Sequence, residues 1–97
     1  MIQATVRGMK FTEPSIELWK QLEEDVELIL EREPGNKYDE NAVKVVFKDF
    51  HLGYVDKKNA EIVSKKLDEG KQVKAVITRV FGMPSYRPHI EIDIHII

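Results

Sequence analysis

The sequence predicts a mainly β fold with two helices (α+β), built as a small six-stranded OB-like or SH3-like barrel. Three observations carry this. About six short segments alternate apolar and polar residues at the two-residue period of a half-buried strand. Only two segments show helical spacing, and they do not interleave with the strands as a doubly wound sheet requires. The chain has 97 residues, enough for one domain, and closing short strands into a barrel removes exposed edges.

Residues 4–11 read as the first strand, with Gly8 marking a bend or bulge. Thr12 can cap a short helix and Pro14 suits its first turn, so residues 14–22 are expected to be helical with Ile16, Trp19 and Leu22 inward. Residues 26–32 alternate, with Val26, Leu28 and Leu30 on one face. Pro34, Gly35 and Asn36 end that strand and open a loop through Asn41. Residues 42–47 are β-branched and alternating, and residues 48–51 turn the chain into a short strand at 52–55. Asp56 caps a helix to about residue 69, with Ala60, Val63 and Leu67 inward and Gly70 as its stop. A long strand follows at 73–81, then a loop at 82–88. The last strand, 89–97, puts Ile90, Ile92, Ile94 and Ile96 on one face. Residues 1–97 thus form a single domain, without repeat, linker or low-complexity segment.

Composition excludes several function classes. There is no cysteine, so disulfides, cysteine-based zinc sites and thiol chemistry are ruled out. The three histidines, His51, His89 and His95, show no ligand spacing; the last two lie six residues apart on a strand, about 20 Å. Ser15, Ser64 and Ser85 sit in no strand–turn–helix elbow, and no phosphate-binding GxxxxGK[ST] loop is present. The carboxylate pairs Glu31/Glu33 and Asp39/Glu40 read as ordinary exposed-loop acids. The expectation is no enzyme, no cofactor and no metal. No apolar run approaches the ~18 residues of a membrane helix, and the first residues are not a signal peptide, so a soluble, cytoplasmic protein is expected.

What remains is a polar and aromatic cluster on loops. Asn36, Tyr38, Asp39 and Asn41 share one connection, Tyr54 and Lys57 flank a strand–helix junction, and Lys10 and Phe11 end the first strand. Aromatic rings interleaved with lysines on a small barrel suit single-stranded nucleic acid, because bases stack on rings while phosphates meet ammonium groups. Turn chemistry accounts for some of the same residues: Asn36 at positive φ, Asp39 or Asn41 in an Asx turn, Phe11 in the core.

Residues 30–45, LEREPGNKYDENAVKV, followed by Leu52-Gly53-Tyr54-Val55 and Ala60, resemble the HIRAN domain, and Val6-Arg7-Gly8-Met9-Lys10-Phe11 fits that family's first strand. The resemblance covers essentially the whole chain. It implies a six-stranded OB-like barrel with two helices. Family members occur fused to Swi/Snf-type DNA translocases and as short free-standing bacterial or phage proteins, which this length resembles. It further implies capture of the 3′-hydroxyl end of single-stranded DNA, in repair or processing, with a helicase, translocase or nuclease as the protein partner. On that basis Tyr38 stacks on the end base and Asp39 accepts a hydrogen bond from the terminal hydroxyl, a role an acceptor-only carboxylate suits. Asn36 contacts the terminal nucleotide, Lys10 and Lys57 meet phosphate, and Phe11 offers a second stacking face. Tyr54 stands where some members have His, and Tyr86 is the aromatic of the 82–88 loop.

The sequence departs from the family pattern at Lys37, where a proline is usual, and in its longer first helix with an acidic exit. The net charge is −2, with seven basic and eleven acidic groups in residues 1–50. That balance leaves a second class open: a protein-interaction barrel, or an accessory subunit of a separately encoded nuclease or helicase, without DNA binding of its own. The cluster Lys10, Lys37, Lys57 and Lys58 argues for DNA, since nearby charges set the potential at a site more than screened distant ones.

Overall fold

The computed structural model describes residues 1–8, 16–81 and 89–97. In chain order the elements are β1 (Ile2–Arg7), α1 (Ile16–Trp19), β2 (Glu27–Arg32), β3 (Val43–Phe47), β4 (Phe50–Val55), α2 (Lys57–Asp68), β5 (Val73–Phe81) and β6 (His89–Ile96). The strands close into an antiparallel barrel in the order β1-β4-β3-β2-β5-β6, an OB-like small barrel. Closure gives every described strand a neighbour on both sides, though β1–β4 and β2–β5 pair over only two positions each.

Alternation builds the barrel interior. Ile90, Ile92 and Ile94 of β6 are almost wholly buried, and Ile92 stands opposite Ala4 of β1 on one side and Ile77 of β5 on the other. Each such isoleucine contributes roughly 1.5–3 kcal/mol by leaving water. Ile96, expected on the same inward face, is 36% exposed because β6 has reached the end of the barrel there. In β5 the register shifts between Ile77 and Arg79, leaving Thr78 outside the ladder, where its hydroxyl donates to the Glu91 carbonyl at 3.2 Å.

Strand β1 starts earlier than expected, since Ile2 pairs with Ile94, and it ends at Arg7, just before Gly8, whose φ of +73° suits glycine. The 9–11 part of the expected strand, with Lys10 and Phe11, lies outside the described residues. So do the cap residue Thr12, Pro14, the 82–88 loop with Tyr86, and the burial expected of Ile16.

Helix α1 is shorter than expected. Past Trp19 the chain tightens into three-residue turns, Gln21 N–H to Leu18 carbonyl at 3.0 Å and Leu22 N–H to Trp19 carbonyl at 3.1 Å. The buried pair is Leu18 and Leu22, while Trp19 is only half-buried against the core. Strand β4 also begins sooner than expected: Lys48 (φ 47°) and Asp49 (φ 72°) make a two-residue turn, so Phe47 faces Phe50 directly.

Helix α2 packs against β2, β3 and β5, burying Ala60, Val63 and Ser64, with Leu67 half-buried. Asp56 occupies the N-cap position but makes no side-chain cap bond. Its carboxylate instead accepts the Thr5 N–H at 3.0 Å and the Asn59 amide, while its own N–H donates to the Thr5 carbonyl at 2.9 Å. Asp56 therefore ties the start of the helix to β1. At the other end Gly70 (φ 78°) donates to Leu67 and Lys71 to Lys66, a Schellman motif.

Candidate nucleic-acid interface

The connection from β2 to β3 is closed at its base by Glu33 N–H donating to the Ala42 carbonyl at 3.0 Å. Within it Asn36 is the organiser. Its Oδ1 accepts the N–H groups of Tyr38 (2.8 Å) and Asp39 (3.0 Å), an Asx turn, and its Nδ2 donates to Glu33 Oε1 at 2.8 Å. Asn36 does not adopt the positive φ that turn chemistry also allowed. Asp39 makes a second Asx turn, its Oδ1 accepting the Asn41 N–H at 2.9 Å. Arg32 braces the far side of the loop: its Nη1 donates to the carbonyls of Glu40 (2.8 Å) and Ala42 (3.3 Å), while its Nε reaches Asp68 of α2 at 3.1 Å. Tyr38 sits at the apex of this braced loop and is 91% exposed.

The barrel wall supplies the floor. Tyr54 on β4 stands opposite Arg7 of β1 on one side and Lys44 of β3 on the other. Its hydroxyl donates to Glu33 Oε1 at 2.8 Å, and the His51 ring meets it edge-on at 4.8 Å. Lys44 Nζ lies 3.7 Å from Glu31 and 3.8 Å from Glu33 Oε2. The bonds from Asn36 and Tyr54, with lesser help from Lys44 and His51, hold the Glu33 carboxyl below its usual range despite some desolvation. Burial and the neighbouring Glu33 charge push the Tyr54 phenol up.

Between loop and wall lies a cleft of about 520 Å³. Asn36, Tyr38, Asp39, Tyr54 and Lys57, all expected at the site from the sequence, line it together. Lys37 of the expected cationic cluster is exposed on the loop but is not part of the cleft wall. Lys10, Phe11 and Tyr86 fall outside the described residues. Sequence reasoning missed Arg7, which lines the cleft beside Lys57 and Lys58; none of the three is ion-paired among the described residues. It also read Glu33 as an ordinary loop acid, whereas the carboxylate is partly buried, accepts two hydrogen bonds at Oε1 and has Lys44 within ion-pair distance of Oε2. Both assignments need the strand pairing, which only the outward period of β1 hinted at. Among the described residues no group of three His, Asp or Glu side chains is placed to hold a metal, and no helix is long and apolar enough to cross a membrane.

A closed small barrel with a braced polar loop, an exposed ring and unpaired cations beside it defines a binding module of the kind that takes oligomeric ligands across one face. The HIRAN domain family profile matches residues 1–95, and the chain belongs to that family, whose members are nucleic-acid-binding rather than catalytic domains. Two solved structures share the fold. A Lactobacillus plantarum protein superposes with a TM-score of 0.79 at 21% identity, over 97% of this chain and 89% of that one. The HIRAN domain of human HLTF gives 0.74 at 21% identity, over 98% and 73% respectively. No curated protein matches the sequence.

Proposed function

We propose that this chain binds single-stranded DNA by its 3′-hydroxyl end, in DNA repair or processing, alongside a helicase, translocase or nuclease that generates or uses such ends. The observation that carries the reading is the pairing of Tyr38 and Asp39 at one cleft mouth. A tyrosine ring 91% exposed on a loop whose backbone is held by hydrogen bonds offers an open stacking face, and base–aromatic stacking is worth about 1–3 kcal/mol. Asp39 uses Oδ1 for the Asn41 turn, and among the described residues Oδ2 has no hydrogen-bond partner. That oxygen can accept a hydroxyl proton and repels a terminal phosphate. Asn36 shapes the loop around the terminal nucleotide, Tyr54 forms the floor, and Arg7, Lys57 and Lys58 face the phosphates. Lys10, Phe11 and Tyr86 extend the surface on the resemblance alone.

Fluorescence anisotropy with two labelled oligothymidines, one ending in a 3′-hydroxyl and one in a 3′-phosphate, tests this. Tighter binding of the hydroxyl end is expected. Equal affinity for both refutes end recognition. No binding of either at micromolar protein favours the protein-interaction barrel or accessory subunit, for which the exposed Glu23, Glu24 and Asp25 are the best support.

A further inference from the structure

We propose that Glu33 is the positioning residue of the end-binding loop, setting hydroxyl selectivity by fixing Asn36 without itself touching DNA. The inference rests on the function proposed above and deepens it. An asparagine amide has one accepting and one donating end, so something must decide which way it faces. Glu33 decides it. A carboxylate can only accept, and Oε1 takes the Asn36 Nδ2 proton at 2.8 Å. Oδ1 is thereby turned to the N–H groups of Tyr38 and Asp39, the two residues assigned to base and hydroxyl.

The carboxylate is itself held from two barrel strands. Tyr54 donates to Oε1 from β4 at 2.8 Å, and Lys44 on β3 approaches Oε2 at 3.8 Å. Position thus passes from the barrel through Glu33 and Asn36 to the loop backbone. A hydrogen bond to the terminal hydroxyl is lost once the donor–acceptor distance reaches about 3.6 Å, so a small drift of Asp39 is enough to abolish it. Arg32 braces the loop from its other side through Glu40, Ala42 and Asp68. Glu33 can therefore be removed while the loop stays attached.

The test measures affinity for the 3′-hydroxyl and 3′-phosphate oligothymidines in wild type, Glu33→Ala, Glu33→Gln and Asn36→Asp, with a thermal melt of each. Glu33→Ala should bind the hydroxyl end about tenfold more weakly, the equivalent of one charge-assisted hydrogen bond. Its affinity for the phosphate end should change by less than about twofold, so the preference collapses. Glu33→Gln keeps an accepting oxygen without the charge and should stay within about threefold of wild type. Asn36→Asp sets two acceptors against each other and should lose the preference with Glu33 intact, which covers the case of a poorly folded Glu33→Ala. If Glu33→Ala or Asn36→Asp retains the preference, the inference is overturned. It is overturned too if Glu33→Gln loses as much as Glu33→Ala, because the charge then acts by repulsion rather than by placement. Equal wild-type affinity for both ends overturns the proposed function and this inference together.

Discussion

The β1–β6–β5 wall and the 33–42 loop are ordered by opposite means. In the wall, Ile92 is 1% exposed between Ala4 and Ile77, and apolar burial repeated every second residue fixes the register. In the loop, Tyr38 is 91% exposed and no apolar contact places it; Asn36, Glu33 and Arg32 do so through directed hydrogen bonds. Stability and the proposed recognition therefore rest on different residues, and substitutions should separate them.

The largest expected effect lies in the wall. Ile92→Asp buries an unpaired charge and should cost about 3–5 kcal/mol of stability, lowering the melting temperature by roughly 12 °C or more. Glu91→Lys, on the outer face where Glu91 pairs with His89 at 2.8 Å, should cost under about 1 kcal/mol. Equal losses in the two melts would break the comparison, because the wall would not be ordered by its inward period.

Next in size are the loop residues. Tyr38→Ala should weaken oligonucleotide binding by about 1–3 kcal/mol at any salt while leaving the melt within about 0.5 kcal/mol. Asp39→Asn keeps an oxygen for the Asn41 turn and removes the charge, so the preference for a hydroxyl over a phosphate end should shrink with little change in stability. A melt as damaged as that of Ile92→Asp would make Asp39 a folding residue and sink its assigned role.

Cations should act more weakly and only through salt. Lys57→Ala should reduce the slope of log affinity against log salt by about 0.7, one phosphate contact on a single strand. Lys65→Ala, further along α2, should leave the slope unchanged; equal effects would mean diffuse binding rather than a cleft.

The smallest effect concerns pH. The Glu33 carboxyl is held below its usual value in the fold, so its bonds to Asn36 and Tyr54 stabilise the native state above the unfolded carboxyl pKa. That contribution fades as pH falls through the native value. Lys44, His51 and Tyr54 are the charged or titratable groups facing it. Comparing acid-range melts of wild type and Glu33→Gln should show a shallower decline in the variant. Identical curves would remove Glu33 as a stabilising acid.

The same contrast explains what the sequence revealed. The strands, the closed barrel and the Gly70 stop were legible because each follows from a local period or a single residue's backbone freedom. The inward face of α1 was legible only in part: Leu22 is buried as expected, but tertiary packing puts Leu18 in the core and leaves Trp19 half-buried against it. The early start of β4 was hidden because Lys48-Asp49 makes a positive-φ turn without glycine. Asn36, Tyr38, Asp39, Tyr54 and Lys57 were picked out by resemblance and turn chemistry and do meet at one cleft. Glu33 was passed over because its partner Tyr54 is 21 residues away, joined only when β2, β3 and β4 pair. Arg7 was missed for the same reason, since only the β1–β4 register sets it beside Tyr54.

The most direct test of a polar, loop-borne end site on an independently stable barrel is residue-resolved NMR. Backbone amide shifts of the 15N-labelled chain are followed during titration with a short 3′-hydroxyl oligothymidine. The account predicts the largest changes at residues 36–41, Tyr54 and Lys57, with Ala75, Ile77, Ile92 and Ile94 unmoved. Changes concentrated instead at the acidic 23–27 segment, or spread evenly over the barrel, would contradict it.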